Sequence, residues 1–159
     1  MHSSILAMIP ARLGSQRLSK KNLKALGGVP LIKRTIAKCK DSSVFDEIWV
    51  NSESEIFKQI AEAEGINFHQ RPEALGNNEA TSEQYIAEFL QKHRCDWLIQ
   101  VHSIAPLISV SEICTFVEHT RNSSSDLVLS YEPIQLECVF DDQPINFSFN
   151  EKTISQDLK

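Results

Sequence analysis

No run of this sequence stays apolar for the roughly 18 residues that a membrane span requires. The opening Met1–Pro10 segment has no basic leader and no small-residue cleavage site. A secretory leader and a membrane partner are therefore not expected, and the chain reads as cytoplasmic. The four cysteines, Cys39, Cys95, Cys114 and Cys138, stand far apart with no CxxC pair. That spacing argues against a zinc site or a disulfide framework and predicts buried free thiols in a reducing compartment. There is no Walker P-loop, no GxGxxG and no GxSxG nucleophile motif. His69, His93 and His119 lack metal-ligand spacing and read as surface or partly buried structural residues, so no metal ligand is assigned. Glu79, Glu83 and Glu88 read as a solvated helix face. Net positive charge is lacking too: at −5 overall, broad binding of nucleic acid is not expected.

What is present is alternation. The 159 residues suit one domain able to bury a real core. Ile5–Ile9 is a short apolar run and reads as a buried strand. Pro30 suits the first turn of a helix carrying Leu31, Ile32 and Ile36. Ile48–Val50 predicts a second strand. Ser54 caps a helix with Ile56, Ile60 and Ala63 at helical spacing, ended by Gly65. Ile66–Phe68 predicts a third strand, and Pro72 and Gly76 mark a loop. Thr81 with Gln84 and Ser109 with Glu112 have capping-box spacing. The first precedes a helix with Ile86, Phe89 and Leu90 inward, the second a helix lined by Ile113, Phe116 and Val117. Trp97–Val101 and Leu127–Leu129 read as further strands. After Tyr131 the alternation fades into an irregular hairpin around Asp141, Asp142 and Pro144, and no closing amphipathic helix follows. Repeated strand–helix units predict a three-layer α/β/α domain with a mostly parallel sheet. Ligands bind such sheets outside the carboxyl ends of the strands, which points to the loops after Ile9, over Arg71–Ser82 and after Val101.

The loop after the first strand carries the most chemistry. From Arg12 to Lys40 there are nine basic residues (Arg12, Arg17, Lys20, Lys21, Lys24, Lys33, Arg34, Lys38 and Lys40) before the first acid, Asp41. Such a segment in an acidic protein suggests a defined anion site; a solvated basic face is the plainer alternative. Gly14 allows close backbone approach and unusual dihedrals. Ser15 and nearby amides donate to phosphate oxygens. Arg12 can fork onto phosphate and Lys21 can place a point charge beside it. Asn22, with donor and acceptor, suits a sugar or base edge. Prepositioned cations of this kind serve nucleotidyl transfer, in which charge builds on the departing pyrophosphate.

The ordered run Ala11-Arg12-x-Gly14-Ser15-x-Arg17-Leu18, Lys21-Asn22 and Gly28-x-Pro30-Leu31 resembles the opening signature of the acylneuraminate cytidylyltransferases. The resemblance continues through Arg71-Pro72-Glu73-x-Leu75, Thr81-Ser82, the strand into Pro106-Leu107, and Leu127–Ser130, covering about Ser4 to Tyr131. It implies a sugar nucleotidyltransferase fold that joins CTP to a sugar acid (sialic, legionaminic, pseudaminic or Kdo-like) and works with Mg²⁺. It implies that Arg12 and Lys21 hold the triphosphate and stabilise pyrophosphate. It further implies that Ala11, Gly14 and Ser15 shape the nucleotide loop and that Asn22, Arg71 and Ser82 sit near cytosine and ribose.

Two departures qualify it. The family's Gln-Pro-Thr-Ser-Pro-Leu stretch is here His102-Ser103-Ile104-Ala105-Pro106-Leu107. This makes His102 either a changed acceptor contact, as a neutral donor–acceptor or a cation for a carboxylate, or simply a strand-end histidine. Family members also continue for several dozen residues, supplying a homodimer arm, a closing strand and helix, and an acidic pair for Mg²⁺. None of Asp141, Asp142, Glu151 or Asp157 matches that pair. The chain is therefore expected to be a C-terminally incomplete single domain. A nucleotide-binding module without turnover and a nucleotidyltransferase for another sugar stay open as alternatives. Arg12→Ala and Lys21→Ala should each weaken CTP binding in a calorimetric titration while changing folding stability by no more than about 0.5 kcal/mol, as polar-loop substitutions do.

Overall fold

β1 (Ile5–Pro10) is the strand on which the structure is assembled, with five of its six residues buried. The computed structural model describes residues 3–15, 18–134 and 136–150. The chain divides into two units, Met1–Ser124 and Ser125–Lys159. In the first, β1 leads through a 3₁₀ turn (Lys21–Leu23) into a small hairpin, β2 (Ala25–Leu26) and β3 (Val29–Pro30). The hairpin was not anticipated. It turns on Gly27 and Gly28, whose φ of 58° and 79° suit the two central positions of a primed turn. Then come α1 (Leu31–Ser42), β4 (Glu47–Ser52), α2 (Glu55–Ala63), β5 (Asn67–Gln70), α3 (Ser82–Lys92), β6 (Trp97–Gln100) and α4 (Val110–Arg121).

The strands pair in parallel in the order β5-β4-β1-β6. The chain leaves β1 toward β4 and β5 and later returns to β1's other side as β6. The switch point thus lies between β1 and β6, where ligand crevices open in doubly wound sheets. Alternation along β1 separates two apolar layers. Ile5, Ala7 and Ile9 pack with Ile32 and Ile36 of α1, Phe57 and Ala61 of α2, and Ile113 and Val117 of α4. Leu6 and Met8 pack on the other face with Phe89 of α3, flanked by Trp49, Tyr85 and Leu98. Helices on both faces make the expected three-layer α/β arrangement.

Both capping boxes form. Thr81 pairs with Gln84 at α3 and Ser109 with Glu112 at α4, each satisfying orphan amides of the first turn. Ser54 Oγ accepts from the Ile56 amide, and Gly65 (φ 67°) follows α2 as its stop. Pro30 sits one residue earlier than expected, with extended ψ at the N-cap of α1. The buried stripe of α2 is Phe57 and Ala61 rather than Ile56 and Ala63, which face outward. With Phe57 and Ile56 adjacent, the larger aromatic takes the core and rotates the helix by one position. Leu90 likewise lies at the outer edge of α3, and Phe89 takes the interior.

Four other expectations are corrected. Leu127–Leu129 is not a strand, and its leucines are exposed; the run has no ladder partner among the described residues. Cys138 is exposed, whereas Cys39 is buried and its thiol is pushed up to about 12 by that burial. All four cysteines are free. Glu88 is not on a solvated face. Its carboxylate lies 2.6 Å from the buried His69 Nε2 and accepts from Lys92 Nζ at 2.5 Å. Burial alone would raise its pKa, but the bonds from Lys92 and His69 outweigh that and hold it low. Gly14 shows no left-handed φ, and a Cβ there would meet nothing within 4 Å, so neither backbone conformation nor protein packing demands glycine.

In the second unit, β7 (Val139–Phe140) and β8 (Gln143–Pro144) form the expected hairpin about Asp141 and Asp142, both at positive φ. Arg17, Glu151 and Asp157 lie outside the described residues.

Phe89 is fully buried on the α3 face, packed edge-on to Trp49 with ring centroids 5.8 Å apart. Truncation there leaves a cavity that parallel strands cannot close, so Phe89→Ala should lower unfolding free energy by about 3–5 kcal/mol in a denaturant titration.

Candidate functional site

A cleft of about 290 Å³ opens where β1 and β6 end. One wall comes from the loop after β1, with Pro10, Ala11, Arg12, Ser15, Lys21 and Asn22. A second comes from the segment between β5 and α3, with Arg71, Leu75, Asn77, Asn78, Ala80, Ser82 and Tyr85. His102 and Ile104, just beyond β6, close the third side. The fold thus gathers three loops separated by dozens of residues, and every sequence-predicted site residue except Gly14 lines the cleft. The later part of the basic segment does not join it. Arg34 bonds the Leu26 carbonyl, Lys33 pairs with Glu64 at 2.9 Å, Lys38 reaches the Pro106 carbonyl and Lys40 the Glu64 carbonyl. Those residues brace α1, and of the basic segment's described residues Arg12 and Lys21 line the cleft.

Arg12 Nη1 donates to the Asn77 carbonyl at 2.5 Å, which ties the two main walls together and leaves the rest of the guanidinium fork for a ligand. Ser82 opens α3, and its hydroxyl lies 3.0 Å from Tyr85 Oη, itself 3.1 Å from Gln100 Oε1. The single phenolic hydrogen serves one of these at a time.

Two of the lining residues are also engaged inside the protein. Asn22 is 7% exposed. Its Nδ2 donates to the Arg12 carbonyl and its Oδ1 accepts from Ser103 Oγ at 2.8 Å. It is chiefly an internal bridge from the loop after β1 to the loop after β6. Arg71 is 3% exposed, with Nη2 donating to the Ala11 carbonyl at 2.7 Å and to Glu53 Oε2 at 2.6 Å, and its guanidinium lies 5.2 Å from the centre of the Tyr85 ring. Its charge is largely spent inside the wall. Its Nε is buried without a hydrogen-bond partner among the described residues.

Sequence reasoning missed Tyr85, Asn77, Ile104 and the supporting pair Glu53 and Ser103. Glu53 follows β4 directly, so the same rule about carboxyl ends of strands would have found it. Tyr85 lies one helical turn beyond Ser82, a signal available once that helix start was recognised.

Among the described residues, no group of three or more His, Cys, Asp or Glu side chains is placed to hold a metal ion. Among the described residues, the cleft lining contains no carboxylate. This donor set does not fit a Mg²⁺ held by protein ligands from these residues.

His102 keeps contact with solvent, but desolvation of its ring, with repulsion from the Lys21 ammonium, lowers its pKa from the ordinary 6.5. That shift favours the neutral imidazole.

The fold thus places Arg12, Lys21 and His102 in one cleft at the switch point of a parallel α/β sheet. The structure superposes on a CMP:2-keto-3-deoxy-manno-octonic acid synthetase complexed with CTP with a TM-score of 0.66, at 24% identity over 76% of this chain and 48% of that one. It also matches a 4-diphosphocytidyl-2C-methyl-D-erythritol synthase with a TM-score of 0.68, at 12% identity over 94% of this chain and 71% of that one. These likenesses show the shared fold. The sequence pattern of the cytidylyltransferases matches residues 6–156, and the chain belongs to that family. It is 33% identical over 127 residues to N-acylneuraminate cytidylyltransferase A of Danio rerio, covering 79% of this chain and 30% of the relative. It is 32% identical over 135 residues to N-acylneuraminate cytidylyltransferase of Streptococcus agalactiae serotype III (strain NEM316), covering 82% of this chain and 32% of the relative. The chain thus spans about a third of the length of these curated relatives.

The proximity of Lys21 and His102 is checkable by proton NMR. The His102 ring should titrate below 6.5, and Lys21→Met should move its midpoint upward by removing the neighbouring charge. Because the folded chain then binds fewer protons than the unfolded one, the stability contributed by neutral His102 is lost as pH falls below 6.5 through the lowered pKa.

Proposed function

We propose that this chain carries the nucleotide half of a cytidylyltransferase that transfers CMP from CTP to a sugar acid of the sialic, legionaminic, pseudaminic or Kdo type. The observation that carries the reading is the convergence of Arg12, Lys21, Ser15 and Ser82 in one cleft at the sheet's switch point, in a chain that belongs to the cytidylyltransferases. In this reading an acceptor oxygen attacks the α-phosphorus of CTP, a new P–O bond forms, and the bond to the β-phosphate bridge breaks to release pyrophosphate. Arg12, held by the Asn77 carbonyl, and Lys21 offset the charge that grows on that leaving group. The Ser15 and Ser82 hydroxyls donate to phosphate or ribose oxygens. Neutral His102 is a hydrogen-bond partner for the acceptor hydroxyl, a role its lowered pKa favours over pairing with a carboxylate.

The described lining residues include no carboxylate that would hold the Mg²⁺ implied by the family resemblance, and every step here rests on the chain's own side chains. The protein works in the cytoplasm, and the full-length form pairs as a homodimer. A second reading, nucleotide binding without turnover, draws on the same missing carboxylate and on the loss of polar side chains at Ile104 and Ala105.

Titration with CTP, UTP, GTP and ATP, with and without Mg²⁺, separates these readings when coupled to a pyrophosphate-release assay on a longer form of the protein. The expected outcome is selective binding of CTP here and release of pyrophosphate by the longer form when a sugar acid is added. Selective binding with no release from any sugar acid supports the second reading, and binding of no nucleotide by either form rejects both.

A further inference from the structure

We propose that Glu53 is the positioning residue of this cleft: one carboxylate, one residue beyond β4, fixes the anion-binding loop against the β5 wall. Its Oε1 accepts from the Leu13 amide at 3.3 Å, and its Oε2 accepts from the buried Arg71 guanidinium at 2.6 Å. Its carbonyl also accepts from Gln70 Nε2 at 3.0 Å. Arg71 in turn reaches the Ala11 carbonyl at 2.7 Å, so the loops after β1, β4 and β5 meet at one ion pair. Gly76 closes the fourth side. A Cβ on Gly76 would stand 2.7 Å from both Cγ and Cδ of Glu53 and 2.9 Å from Oε2, so the carboxylate packs against bare backbone. Glu53 does not itself line the cleft. It acts through Leu13, next to Arg12 and two residues from Ser15, and through Arg71.

The chemistry requires a carboxylate. Two N–H donors face its two oxygens, and an amide in its place would turn an NH₂ toward one of them. Arg71, almost without solvent, also needs an adjacent negative charge, since an unpaired buried guanidinium is costly. Swinging the carboxylate away would therefore release the Leu13 amide and unbalance Arg71 together. Only the ligand in this proposal rests on the nucleotide-binding reading; the geometry does not.

The test compares wild type, Glu53→Gln and Gly76→Ala by residue-resolved amide exchange, chemical denaturation and CTP titration. In folded Glu53→Gln, exchange at Leu13 should rise at least about tenfold more than exchange within β1, and CTP affinity should fall by a similar factor, as befits loss of a charged hydrogen bond. Gly76→Ala keeps the charge but presses on the carboxylate, and should give the same local signature. Exchange that rises uniformly, with CTP affinity of the folded protein unchanged, would make Glu53 a stability residue only and overturn the proposal. Should Glu53→Gln fail to fold, Gly76→Ala decides alone: unchanged protection at Leu13 overturns the proposal, and local loss supports it. If wild type binds no CTP, the functional reading fails, and the exchange data still judge Glu53.

Discussion

Arg71 and Glu53 hold together what the sheet by itself would leave apart. Parallel strands deliver their carboxyl ends to one edge, but each then runs into an irregular loop with unpaired backbone groups. At this edge the Arg71 guanidinium takes the Ala11 carbonyl and the Glu53 carboxylate, and the Glu53 carboxylate takes the Leu13 amide. The pair is nearly dry, with side chains 3% and 17% exposed, so its members depend on each other. Removing one partner of such a buried pair costs about 3–5 kcal/mol, most of it from the charge left behind. The cleft's shape inherits that stiffness.

A second bridge works from the other side. Ser103 Oγ donates to Asn22 Oδ1 and Asn22 Nδ2 donates to the Arg12 carbonyl, joining the loop after β6 to the loop after β1 through buried side chains. Ser103 stands where the resembling family has proline, and a proline could not make this bond. In this chain the segment carrying His102 and Ile104 is thus coupled to the backbone of Arg12, so that two walls of the cleft share one internal scaffold. The remaining cleft cations, Arg12 and Lys21, face a lining without carboxylates among the described residues, so the surface carries positive charge.

Much of this was readable in advance where local signals are strong. The buried run of β1, the two capping boxes and the Gly65 stop all formed as their residue types require. The Arg12–Asn22 loop and the Arg71–Ser82 segment were recognised before their meeting could be seen. The errors share one cause. Whether Ile56 or Phe57 faces the core, whether Leu127–Leu129 becomes a strand, and whether Glu88 is solvated depend on neighbours far away in sequence. Glu88 meets His69 across nineteen residues, and no helical period announces such a contact.

The sequence by itself determined the alternation of strands and helices, the helix ends and the chemical types available at each strand terminus, because these follow from local sterics, capping and apolar period. Tertiary structure alone decided which polar groups are free. Asn22 and Arg71 stand at the cleft wall with Arg12, Lys21 and His102, yet folding also engages them with Ser103, Ala11 and Glu53. Hydrogen-bonding capacity belongs to the residue type, but its availability is settled only when the chain has closed and each buried donor has found its acceptor.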